Sequence, residues 1–157
     1  MRRTKPACLT AVAMGAAIML LGGFANRPAI SGHEVIKIVG TTPGPLHATV
    51  TAKGAFKADG YFFKKKASLI FPKGRLVVKR HVLTTSYKPP DLATCRFKIS
   101  QHGTFRVSYA TGRYRKVRYR GQYWTHVSGR LKRTGPNQCG SKIVHYHFVT
   151  YEIGKIP

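Results

Sequence analysis

Three observations predict an all-β fold, an antiparallel barrel of about eight strands with a β-sandwich as the alternative. The first is a long alternating run: Val117, Tyr119, Gly121, Tyr123, Thr125, Val127, Gly129 and Leu131 hold one parity, and Lys116, Arg118, Arg120, Gln122, Trp124, His126, Ser128 and Arg130 hold the other. A period of two is that of a strand with one buried face. The second is that short β-branched and aromatic runs are separated by turn residues at roughly 8–12-residue spacing. The third is that no helical period persists for three turns after the first 25 residues. A barrel is preferred because closure removes the sheet edges that would pair with other chains.

The first 25 residues read as an export signal. Arg2, Arg3 and Lys5 form a positive start, Ala7 to Leu21 an apolar run, and Gly23-Phe24-Ala25 places small residues at a cleavage site, so the mature chain is expected to begin at Asn26. The alternative is an uncleaved N-terminal anchor facing outward, since Cys8 to Ala25 is just long enough to span a bilayer. The twin arginines lack the context of a twin-arginine signal, and Cys8 precedes the apolar run, which excludes a lipoprotein cysteine. Residues 26–45 are then a lead-in and first strand, and 46–157 a single barrel domain.

Taken in order, His33 to Val39 is a β-branched first strand ended by the Thr41–Pro45 cluster, and Leu46 to Lys53 alternates as a second. Asp59-Gly60 predicts a tight turn between Phe56 and Tyr61, and Lys64-Lys65-Lys66 a solvated loop. Ala67 to Phe71 and Arg75 to Leu83 flank Pro72-Lys73-Gly74 as a hairpin. Ser86 to Asp91, with Pro89-Pro90, is a loop. Cys95, Phe97 and Ile99 point inward, Gln101-His102-Gly103 turns the chain, Phe105, Val107 and Tyr109 point inward in the next strand, and Thr111-Gly112 turns it again. Lys116 to Leu131 follows, expected to bend near Gly121 and break near Gly129. A Gly135-Pro136-Asn137 turn leads to the closing strand, Lys142 to Ile153. The predicted core is Phe97, Ile99, Phe105, Val107, Tyr109, Val117, Tyr119 and Tyr123.

Thr111-Gly112-Arg113-Tyr114, four residues, then Tyr119-Arg120-Gly121-Gln122-Tyr123 resembles the T-G-x-[YF]-x4-G-x-G-x-Y pattern of secreted bacterial proteins similar to the allene oxide cyclase barrel and, more distantly, to plant dirigent proteins. Gly54-Ala55-Phe56 and Phe71-Pro72-Lys73-Gly74 are similar to earlier turns of that bacterial group, so the resemblance covers about residues 46–150. Ala110 and Tyr119 depart from it where glycines are usual. The resemblance implies an antiparallel barrel of lipocalin-like size and no settled biochemical role, and cyclase or dirigent activity does not transfer on fold alone.

The chain carries 28 Lys and Arg against four acids, a formal charge of +24, of which the leader removes Arg2, Arg3 and Lys5. Partners should be anionic. Glu34, Asp59, Asp91 and Glu152 form no sequence-local pair for acid–base work, and no nucleophile elbow, phosphate loop or zincin motif is present. No cofactor is expected. After cleavage two cysteines remain, Cys95 and Cys139, which in an oxidising compartment read as a disulfide; free thiols or a metal pair are the alternatives, and the absence of CxxC or CxxH spacing argues against metal. His145 and His147, on one strand face, are weak metal candidates that His81 or His126 would complete, against the plainer reading of half-buried strand histidines. The sharper expectation is a polyanion site on one outer face of three successive strands: Arg96, Lys98, Arg106, Lys116, Arg118 and Arg120, with Trp124 beside them to stack a sugar or base. Cell-wall polymers, acidic glycans, anionic lipids and nucleic acid all qualify, with no obligate nucleic acid. The competing readings are a merely solubilising charge and a barrel that binds a small apolar ligand.

Overall fold

The structure, a computed structural model, describes residues 30–42, 48–63 and 67–157; the expected leader and cleavage site, and the expected loop at Lys64-Lys65-Lys66, lie outside them. Eight antiparallel strands, β1 (Gly32–Thr42), β2 (Ala48–Gly54), β3 (Ala58–Phe63), β4 (Ser68–Phe71), β5 (Gly74–Lys88), β6 (Arg96–Ala110), β7 (Arg120–Gly135) and β8 (Gln138–Ile156), pair in sequence order, and β8 returns to β1 to close a barrel.

Alternation builds each stave. Ile36 and Ile38 of β1, Val50 and Ala52 of β2, Leu69 of β4, Leu76 of β5, Phe105 of β6 and Tyr123 of β7 are all buried, while His33, Val35 and Lys37 between them face out. Each fully buried aliphatic side chain contributes about 1.5–3 kcal/mol. The lower end is plugged by Phe56, Phe71 and Tyr114, whose ring centroids lie 4.9–5.7 Å apart, and Tyr114 is delivered by a short 3-10 turn, Gly112–Tyr114, after β6.

The staves differ greatly in length. β4 leaves β5 at the Ser68–Val77 pair, yet β5 runs on to Lys88 with β6 as its partner, and β8 extends past the last β1 pair, Thr42–Tyr146, to Gln138. The result is a tall wall of β5–β8 rising about 30 Å above a low wall of β2–β4. A Cys95–Cys139 disulfide, with Cα atoms 5.5 Å apart, straps the top of this wall. It joins the start of β6 to the start of β8 across β7, where Leu131 N–H donates to the Cys95 carbonyl at 2.9 Å.

Several sequence expectations need correction. Asp59-Gly60 is not a turn but part of β3; Gly60 is required because a Cβ there would sit 2.1 Å from the Ile70 carbonyl on the neighbouring strand. Gln101-His102-Gly103 does not turn either. β6 passes straight through, and Gly103 is the place where the chain approaches the His81 carbonyl too closely for a side chain, 2.1 Å from an added Cβ. The predicted three strands are therefore two, β6 and β7, joined by a segment that holds Lys116 to Tyr119 outside any strand. β7 does not break at Gly129. Tyr109 is not core: it is 56% exposed, because Ser108 is an extra residue between the Val77–Tyr109 and Val78–Val107 pairs and reverses the parity. Phe97, Phe105, Val117, Tyr119 and Tyr123 are buried as expected, with Ile99 and Val107 half-buried.

Candidate functional site

The cross-strand register sorts the outer face of the tall wall into rows. Near the base, Lys79 opposes Arg106, Arg106 opposes Arg120 and Arg120 opposes Lys155, a cationic row crossing four strands, and Lys155 opposes His33 on the fifth. Near the top, Lys88 opposes Lys98, and Arg96 opposes Arg130. Adjacent strands lie about 4.8 Å apart, so these like charges repel, at roughly 0.2–1 kcal/mol per opposed pair.

All six predicted cations are exposed, but the structure divides them. Arg106 and Arg120 belong to the base row, and Lys116 and Arg118 to the connection just below it. Arg96 and Lys98 sit at the top, ten and eight residues along β6 from Arg106 or about 30 Å away. Lys79, Lys88, Arg130 and Lys155 complete the two groups. Parity placed Arg130 outward, while Lys88 fell in an expected loop and Lys155 beyond the expected closing strand; membership of the groups depends on which strand lies beside which, and alternation alone does not carry that.

Between the groups runs an aromatic row. His102 opposes Trp124, and Trp124 opposes Tyr151, which opposes Lys37. The His102 and Trp124 rings stack with centroids 5.1 Å apart and planes 22° from parallel, and the Lys37 Nζ lies 5.7 Å from the Tyr151 centroid. One face of the Trp124 indole is thus already covered, and a sugar or base would have to use the other.

The acids are kept off this surface. Glu34 and Glu152 point into the barrel with no exposed area. Glu152 Oε1 accepts from Arg80 Nη2 at 2.7 Å and Nε at 2.9 Å, while Glu34 Oε2 accepts from the Phe56 N–H at 2.9 Å. The Tyr119 hydroxyl lies within donating distance of two carbonyls, Glu152 at 2.8 Å and Glu34 at 3.0 Å, bracing the β1–β8 seam. Burial raises both carboxyls above the usual range, opposed at Glu152 by Arg80 and at Glu34 by backbone N–H donors. Burial first, then the two carboxylates, holds the Tyr119 phenol far above its ordinary value. Asp91 lies in the β5–β6 loop, where its carboxylate accepts from the Thr94 N–H and hydroxyl at 2.7 and 2.8 Å, and these bonds lower its pKa. Between described residues the ion pair is Arg80–Glu152, an internal one.

His145 and His147 face outward on β8, opposite Arg130 and Ser128. Among the described residues no group of three His, Cys, Asp or Glu is placed to hold a metal ion; these imidazoles have cations and hydroxyls for neighbours, and His81 stands on β5, two strands from His126. Among the same residues no helix is long and apolar enough to cross a membrane. No family model, curated protein or solved structure matches this chain. Chemically, the outer face offers many cationic donors, hydroxyls and one partly open indole, and it withholds the two buried carboxylates.

Proposed function

We propose that the protein is a secreted or N-terminally anchored, non-enzymatic binder of an extracellular polyanion such as a cell-wall polymer, acidic glycan, anionic lipid surface or nucleic acid. The observation that carries this reading is the row Lys79–Arg106–Arg120–Lys155, in register across four strands. Its self-repulsion costs stability, and an anionic chain laid across the row would offset that cost. The inward placement of Glu34 and Glu152 supports it further, since it leaves the outer field nearly uniform in sign. A barrel of the allene oxide cyclase type, to which the turn motifs point, would serve as the rigid carrier of this face.

A second reading has one observation in its favour. The inner face of the tall wall, above the barrel, carries half-buried Ile99, Val127, Tyr146 and Phe148, with Val82 46% and Tyr87 55% exposed. An apolar small ligand, or cyclase- or dirigent-like chemistry on one, would sit there.

The test is a salt titration of binding to duplex DNA, heparin and teichoic acid. Arg106→Gln with Arg120→Gln should flatten the slope of log K against log salt for DNA by about two units. Lys53→Gln with Lys57→Gln, which removes the same charge from the low wall, should change it less. Equal losses would point to diffuse attraction, and no binding to any polyanion at low salt would shift attention to the inner apolar face.

A further inference from the structure

Above the aromatic row the outer face of β6, β7 and β8 forms a grid three strands wide. Arg96, Arg130 and His145 make its top row, Lys98, Ser128 and His147 the next, and Ser100, His126 and Val149 the third. Two shallow depressions of about 530 and 330 Å³ meet at Lys98 and Ser128 and cover the grid. Three permanent cations, three imidazoles and two hydroxyls thus share one concave surface, with the His126 Nδ1 and Ser100 Oγ 3.1 Å apart.

The charged surroundings are all of one sign except for one carboxylate. β5 contributes Lys88 opposite Lys98, and β1 contributes the neutral Thr41 opposite His147. Further along β7 stand Lys132 and Arg133, β8 adds Lys142, and the β5–β6 loop adds Asp91, whose carboxylate is occupied by Thr94. A proton taken up by an imidazole of the grid adds positive charge to the surface an anion contacts, so proton uptake and anion binding favour each other by linkage. Imidazoles as a class change charge between about pH 5 and 8.

We infer that this grid is a proton-responsive site for the phosphate or sulfate ester groups of a polyanion, binding them more tightly as the medium becomes mildly acidic. The inference rests on the polyanion reading and names its ligand class and regulation. Esters fit better than carboxylates for two reasons. Arg96 and Arg130, directly opposed, bring two guanidinium forks to one tetrahedral oxyanion, the geometry that arginine serves best. Phosphodiesters and sulfate esters also keep full charge where carboxylates, with pKa values near 4, begin to lose theirs.

Calorimetric titration of the full chain with poly(glycerol phosphate), dextran sulfate and polygalacturonate, at constant ionic strength and at about pH 7.5, 6 and 5, tests this. Affinity for poly(glycerol phosphate) or dextran sulfate should rise about tenfold or more between the extremes, equivalent to at least 1.4 kcal/mol, with buffer-dependent heats reporting proton uptake. A response to one ester and not the other identifies the source and supports the site. The triple variant His126→Gln, His145→Gln, His147→Gln should lose the rise, whatever its absolute affinity at pH 7.5; His145→Gln alone, on the exposed top row, should lose part of it if the triple variant fails to fold. Equal wild-type affinity across pH, or a rise that survives the histidine substitutions, would overturn the inference and leave the polyanion reading standing. An equal rise for polygalacturonate would overturn the ester assignment. Failure of all three probes at every pH would remove the polyanion reading itself.

Discussion

Glu34 shows how a single side chain inverts the usual pH behaviour of a protein. Its carboxyl is buried without a cationic partner, one oxygen satisfied by Phe56 and the other, Oε1, by no partner among the described atoms. Its pKa is raised in the folded state, so the native chain binds more protons than the unfolded chain above the ordinary glutamate value of about 4.3. The stability this group contributes is then fully present below that value and falls as pH rises through the folded pKa. Glu152 acts in the same direction, partly restrained by Arg80. Thermal unfolding should therefore show a higher Tm at about pH 5 than at pH 7.5, against the common trend of acid lability. Glu34→Gln should raise Tm at pH 7.5 and flatten that dependence, whereas Glu152→Gln should raise it less, because the gain is offset by the cost of leaving Arg80 without its counter-ion. The latter cost is moderated by the 24% exposure of the Arg80 side chain. A wild-type Tm that falls monotonically on acidification from pH 7.5 to 5 would refute this account.

At the scale of the strand, what the sequence made legible was parity, and what it hid was pairing. Alternation alone put Phe97, Phe105 and Tyr123 inside and Arg96, Arg106 and Arg120 outside, because side-chain direction is a local property. It misread Gly103 and Gly60 as punctuation, since a glycine needed for close approach to a neighbouring strand looks the same in sequence as one needed for a turn. It misplaced Tyr109 because a bulge inserts one residue with no compositional mark. The two cationic groups and the histidine grid were legible only in part: His145 and His147 share a face by spacing, but Arg130 joins them through the register of β7 on β8. These distinctions separate in mutants. Phe105→Asp should prevent folding, as an unpaired buried charge costs several kcal/mol, while Tyr109→Asp, two residues beyond the expected parity, should be tolerated. Gly103→Ala should cost about 1–3 kcal/mol, since its Cβ would meet backbone at His81. Circular dichroism and urea melts check all three, and intolerance at Tyr109 together with tolerance at Gly103 would show that the β5–β6 register is wrong.

Across the whole molecule, the opposed cations of the tall wall gather at its two ends, and the disulfide lies at the upper one. There Arg96 and Arg130 are neighbours that would separate if the top of the wall frayed, and Cys95–Cys139 holds β6 and β8 to β7 at that point. On the chain-entropy view a closure of this span contributes about 3–4 kcal/mol, enough to outweigh several opposed cationic pairs at a few tenths to about 1 kcal/mol each. The base row has no such strap; β5 to β8 hold it by their ladder and by the buried side chains beneath, Phe105 and Tyr119, whose centroids lie 4.6 Å apart. Screening should therefore help the fold. Raising NaCl from about 20 to 500 mM shortens the Debye length from roughly 20 Å to about 4 Å, and Tm should rise by several degrees, at about 2–4 °C per kcal/mol for a domain of this size. Arg106→Gln with Arg120→Gln should reproduce part of that gain at low salt and reduce the remaining salt dependence. Heparin at low ionic strength should raise Tm further in the wild type than in this variant, because the polyanion relieves the same repulsion that salt screens. If salt lowers Tm, or the double variant is less stable than wild type at 20 mM NaCl, the in-register row is not under electrostatic strain and the outer field is not what a ligand would neutralise.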